Sequence, residues 1–90
     1  MFGETVIARE YGGKPVVCKV WEVTSRKIYV CTEETFEILK VHKGKPLPSN
    51  RFPVAFPRED IFRYHPKHKS ILNNWNGDPR FWNVMVQYDA

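Results

Sequence analysis

The sequence predicts an α+β fold, mainly β: a small, partly open barrel of about five strands, with one inserted helix and helical segments at its C-terminal end. Three observations carry this reading. Short runs of β-branched and aromatic residues alternate with turn residues such as Gly, Pro, Ser and Asn. A helix-capping pattern follows directly on one of these runs. After His65-Pro66 the apolar residues take up helical spacing.

The elements follow in order. Glu4 to Arg9 reads as a first strand, and Tyr11-Gly12-Gly13-Lys14-Pro15 as the turn that ends it, because Gly supplies positive φ and Pro cannot donate to a ladder. Val16 to Val23 and Lys27 to Thr32 are two strands joined through Thr24-Ser25-Arg26, the strongest hairpin signal in the chain. Pairing Val23 with Ile28 puts Val17, Trp21, Val23, Ile28 and Val30 on one face. It puts Val16, Cys18, Val20, Tyr29 and Cys31 on the other. Both faces are apolar, so both are expected to be covered.

A helix is expected over residues 33–42. Thr32 caps it, Glu33 and Glu34 suit the positive end of its dipole, and Phe36 and Leu39 share one side. Lys40, His42 and Lys43 suit the negative end, and Gly44 closes it. Lys45 to Pro53 holds three prolines and reads as a loop. Val54 to Phe56 is a short strand, Pro57 to Asp60 a single tight turn of helix, and Ile61 to Tyr64 a last strand. Ile71, Leu72 and Trp75 mark a further helix. Asp78-Pro79 starts another, with Phe81, Trp82, Met85 and Tyr88 along one side. The alternation of Trp82, Val84, Val86 and Tyr88 keeps a strand open as the alternative there. Residues 1–65 form the barrel-like body of a single domain over 1–90, and 66–90 a C-terminal helical extension packed on it.

This order of elements resembles small β-barrels of the Src-homology and Tudor kind. The matching residues are Thr5 to Arg9, Val16 to Thr32, Pro57 to Asp60 and Ile61 to Tyr64, about two thirds of the chain. The chain departs from that pattern in its inserted helix and its C-terminal helices. The resemblance implies binding of peptides or nucleic acid through loops and an aromatic patch. Val6 to Trp21 and Phe56 to Phe62 also look like short bacterial proteins of unknown role.

Net charge is +4, unevenly placed. Residues 40–80 carry nine Lys/Arg against Glu59, Asp60 and Asp78, a local +6, while residues 1–39 come to −1. The binding surface is therefore expected around Lys43, Lys45, Arg51, Arg58 and Arg63, beside the proline-rich loop. No run approaches the roughly 18 apolar residues of a membrane span, and Met1 to Glu10 does not read as a secretory signal. Cys18 and Cys31 do not form the spaced framework of a disulfide-rich secreted domain, so a cytoplasmic setting is expected.

Catalytic chemistry is not visible. Ser25, Ser49 and Ser70 lack a glycine elbow, and Gly12-Gly13 leads into Lys14-Pro15 rather than a phosphate-cradling helix. Cys31 sits just before a helix N-terminus, a place that can lower a thiol pKa. His65-Pro-Lys-His68 is the one short ligand spacing, with Cys18, Cys31 and His42 as further donors, too little for a zinc site. No enzyme activity, cofactor or metal is expected. The expectation is a non-enzymatic protein-binding or accessory module with a protein partner and no membrane. The alternative is a basic small barrel binding RNA or single-stranded DNA. There Arg58, Arg63, Lys67 and Lys69 alternate with Phe56, Phe62, Tyr64, His65 and His68.

Overall fold

In the computed structural model, residues 1–42 and 52–89 are described. The strands are β1 (Thr5–Arg9), β2 (Pro15–Val23), β3 (Lys27–Cys31), β4 (Val54–Pro57) and β5 (Ile61–Arg63). They form one antiparallel sheet of five strands in the order β4-β3-β2-β1-β5. The outer strands β4 and β5 do not pair with each other, and the sheet is not closed into a barrel. A one-turn 3-10 helix, Arg58–Asp60, leads from β4 into β5.

β1 lies inside the sheet, between β2 and β5, and is buried on both faces. Val6 and Ala8 pack on one side with Cys18, Val20, Ile28, Val30, Ile61 and Tyr88. Ile7 packs on the other with Phe62, Trp82 and Met85. A strand covered on both sides reads as a continuous apolar run, as Val6-Ile7-Ala8 does.

The hairpin corrects the expected register. Val23 does face Ile28, but Val20 pairs with Val30 and Glu22 with Tyr29, leaving Trp21 as the extra residue of a β-bulge. The bulge turns Val20 and Val23 to the same face, with Cys18, Ile28 and Val30. Trp21 instead packs with Cys31, Phe36 and Leu39. Cover on the second face extends only as far as the helix reaches. On that face Cys31 is buried under Phe36 and Leu39, but Val17 is 45% exposed.

That helix, α1 (Glu33–Val41), starts as its sequence predicts. Thr32 is extended, and its hydroxyl oxygen accepts from the Thr35 amide at 3.2 Å. Phe36 and Leu39 are its buried residues. The expected closure by Gly44, and the loop from Lys45 through Arg51, lie outside the described residues.

The C-terminal segment combines the two readings left open. Pro66–His68 is 3-10, α2 (Lys69–Asn73) follows, and Pro79–Val84 is 3-10 rather than α. The Asp78 carboxylate caps this last turn by accepting from the Arg80 amide at 2.9 Å. Beyond Val84 the chain is extended and runs along β5. Arg63 N donates to Val86 O at 2.7 Å and Tyr88 N to Ile61 O at 2.9 Å, around a Phe62–Gln87 bridge. Met85 and Tyr88 therefore fall on opposite faces of the sheet, not on one helix side, because extended residues three apart point opposite ways.

Candidate functional site

Two depressions have chemistry that could serve recognition, and they lie toward opposite margins of the sheet. The first, about 270 Å³, opens beside β4. Its apolar lining includes Ala8, Val16, Cys18, Val30, Val54 and Phe56, and its polar lining Glu10, Thr32 and Thr35. Register explains the gathering: Val54 pairs with Val30, Phe56 with Ile28, and Val16 with Ala8, so these side chains share the inner face. Phe52, just ahead of β4, completes the rim. Phe52 is 63% and Val54 52% exposed. The sequence puts Val16 and Cys18 on a covered face of the hairpin and does not single out Phe52. The available signal was Phe52-Pro53-Val54, apolar residues around a proline at the start of a strand, which marks an edge.

The second depression, about 430 Å³, is lined by Arg63, Tyr64, His65, Lys67, His68 and Val86. The end of β5 supplies Arg63, and the 3-10 turn after Pro66 brings Lys67 and His68 back toward it. His65 Nδ1 accepts from Lys67 N at 3.1 Å, and His68 N donates to His65 O at 2.8 Å. The His65 and His68 rings stand 5.9 Å apart. Among the described residues, His68 Nδ1 is buried with no hydrogen-bond partner.

Of the residues expected to form the binding surface, Lys43, Lys45 and Arg51 lie outside the described residues. Arg58 is half-buried on the 3-10 turn after β4, where its Nη1 donates to Thr24 O at 2.6 Å. Arg63 is exposed on β5 and lines the second depression. Both reach the Tyr88 hydroxyl electrostatically.

The thiols are held neutral. Cys18 Sγ lies 3.8 Å from Val16 O and 3.9 Å from Val6 O, and burial pushes its pKa up to about 12. Burial also raises Cys31, so the helix start beyond Thr32 does not activate it. Both are free thiols. Their protonation opposes a nucleophilic role. Among the described residues, no three His, Cys, Asp or Glu side chains come together as metal ligands. No helix among them is long and apolar enough to cross a membrane.

A third polar cluster ties the chain ends together. Tyr88 donates its hydroxyl to Glu4 Oε1 at 2.9 Å, and the amino-terminal ammonium contacts the same carboxylate at 3.1 Å and also the Tyr88 oxygen. Burial, followed by the Glu4 hydrogen bond and charge, pushes Tyr88 up to about 12. Burial alone would raise Glu4, but the hydrogen bonds from the amino terminus and Tyr88 outweigh it and hold its pKa below the ordinary carboxylate value. The ammonium, the Glu4 carboxylate and the Tyr88 hydroxyl bond to one another, so the cluster reads as structural.

Compared with protein-family models, curated proteins and solved structures, this chain finds no match among any of them.

Proposed function

We propose that this chain is a non-enzymatic protein-binding module whose partner lays an extended segment along β4 and seats an apolar side chain in the adjoining hollow. One observation carries the reading: Phe52 and Val54 stand exposed at the rim of an apolar depression, on a strand that among the described residues pairs only with β3. An edge strand offers free backbone donors and acceptors to an added strand, and alternate side-chain pockets supply selectivity. The hollow's volume of about 270 Å³ falls just under the roughly 300–1,000 Å³ of small-molecule sites and suits one side-chain anchor.

The strand order, with a 3-10 turn between β4 and β5, supports reading the fold as a partly open small barrel of the Src-homology and Tudor kind. On that reading the hollow is the place where the barrel stays open. Pro53 and Pro57, at the two ends of β4, carry no amide donor, and antiparallel pairing with β3 leaves only alternate amides among Val54, Ala55 and Phe56 on the open edge, which blunts self-association. Two free buried thiols suit a reducing compartment such as the cytoplasm.

The test is selection of random peptides on the immobilised chain, followed by amide-resonance titration. Enriched peptides should carry an apolar anchor, shift the Val54, Ala55 and Phe56 amides, and lose at least about tenfold in affinity against Val54→Lys. The same variant should keep the parent's urea midpoint, because Val54 is exposed. Failure to enrich any peptide, or shifts confined to another surface, would overturn the proposal.

A further inference from the structure

We propose that the depression at the end of β5 is a second binding site, distinct from the β4 hollow, and that it takes single-stranded nucleic acid. A base would stack on Tyr64 and His65, and the adjoining phosphates would meet Arg63 and Lys67.

Charge is the first argument. From Ile61 to Gly77 the chain carries Arg63, Lys67, Lys69, His65 and His68, and no carboxylate. No acidic residue lines the depression. Among the described residues no salt bridge engages Arg63, Lys67 or Lys69. Glu4 is the carboxylate that reaches Arg63 electrostatically, and it is already bonded to the amino terminus and Tyr88. The cations are thus left for an external anion.

Ring geometry is the second. Tyr64 and His65 both line the depression, and His68 is returned beside His65 by the Pro66 turn. Aromatic faces next to unpaired cations match a base with its phosphate. An acidic peptide would satisfy the charges and leave the rings unused. A duplex keeps its bases stacked and offers none to a concave site of this size, about 430 Å³.

Rigidity is the third. The Arg63 backbone is bonded to Val86, and the 65–68 turn is closed by the His65 Nδ1 and carbonyl bonds. A pre-formed site spends little ordering entropy on binding.

The test is fluorescence anisotropy with a fluorescein-labelled ten-nucleotide oligo-dT and its oligo-U counterpart. Binding should weaken with salt, with log K falling against log salt by about 0.7 per phosphate contacted. Arg63→Gln and Lys67→Gln should each flatten that slope by about one contact and leave the fold unchanged, as both side chains are exposed. Tyr64→Ala should weaken binding roughly 5- to 150-fold, and Tyr64→Phe, which keeps the ring, should restore it. Tyr64 also packs against Ile7, Phe62, Trp82 and Met85, so the urea midpoint of Tyr64→Ala, read beside its affinity, separates stacking from a folding defect. Salt-insensitive binding, a slope unchanged in both Gln variants, or no binding to either strand would overturn the site. Equal competition by poly-glutamate would reassign it to an acidic protein. Equal competition by adenosine monophosphate, at matched nucleotide concentration, would reassign it to a free nucleotide. Either result would overturn the strand proposal while leaving the β4 docking proposal standing.

Discussion

Arg9 and Asp60 are joined across the sheet: Arg9 Nη2 lies 2.8 Å and Nε 3.0 Å from Asp60 Oδ1. The pair fixes the 3-10 turn ahead of β5 against the end of β1. Arg9 does more than pair. Nη2 also donates to the Glu59 carbonyl at 3.2 Å, and the guanidinium lies 5.0 Å from the Phe62 ring and 5.4 Å from the Trp82 ring. The two side chains are 34% and 27% exposed, so solvent screens much of the Coulomb attraction. Asp60→Asn should therefore cost only about 1 kcal/mol, whereas Arg9→Ala, which also forfeits the ring contacts, should cost about 2. Urea unfolding of both single variants and the double variant measures the coupling. Equal losses for the two single variants would show that the stacking contributes nothing.

Thr32 sets the start of α1. Thr32→Ala should destabilise by about 0.5–2 kcal/mol, and Thr32→Ser should stay near the parent, since the hydroxyl oxygen is the acceptor. Chemical denaturation followed by far-UV circular dichroism checks both. A Ser variant as weak as the Ala variant would place the effect in the methyl group instead.

Two neutral groups limit the alkaline side of the stability profile. Tyr88 and Cys18 are each raised to about 12 in the folded chain, so folding favours their protonated forms. Their contribution is complete below the ordinary values, near 10 for Tyr and 8.5 for Cys, and is lost as pH rises through about 12. Glu4 has the opposite sign. Its pKa is lowered, so its contribution is present above the ordinary carboxylate range and disappears as pH falls through and below it. Tyr88→Phe should cost about 1 kcal/mol at neutral pH and flatten the alkaline fall in thermal midpoint. In the parent, Cys18 should resist a disulfide reagent at pH 8. Fast labelling of Cys18 in the folded protein would defeat this account.

Local signals made most elements legible. The Thr32 cap, the Pro57 turn and the Asp78-Pro79 start each depend on a side chain and the backbone within three residues, and each is where the sequence put it. The bulge at Trp21 was not legible, because it depends on where α1 packs. Turning Trp21 toward Phe36 and Leu39 requires one extra residue in β2, and nothing between Val16 and Val23 announces it. The tail likewise gave two periodicities at once, and the chain uses each in turn: 3-10 through Val84, extended after it. The basic surface was legible only as charge. Sequence brought Arg63, His65 and Lys67 near one another, whereas the turn that makes them line one depression comes from Pro66 and the His65 ring nitrogen.

Trp82 anchors the tail, and Gly13 is its counterpart. The indole Nε1 donates to Gly13 O at 2.9 Å, and the ring packs on Phe62 at 4.7 Å between centroids. Gly13 has φ +82°, a left-handed conformation that costs an L side chain about 1–2 kcal/mol, and an added Cβ would sit 3.6 Å from the indole nitrogen. That distance is ordinary contact, so the penalty of Gly13→Ala should be conformational rather than steric, about 1–2 kcal/mol. Trp82→Phe removes the hydrogen bond and part of the buried ring while keeping an aromatic group on Phe62. It should cost about 2–3 kcal/mol, the sum of a lost bond and a smaller side chain. Because Arg63 N and Tyr88 N are bonded within the same tail, the loosening should appear first as faster hydrogen exchange at those two amides. Exchange at Val20, whose amide donates to Glu4 O at 2.9 Å just ahead of β1, should change only with global stability. If Trp82→Phe accelerated Val20 as much as Arg63 and Tyr88, the tail would be part of one cooperative unit with the sheet, and not a separately opening flap.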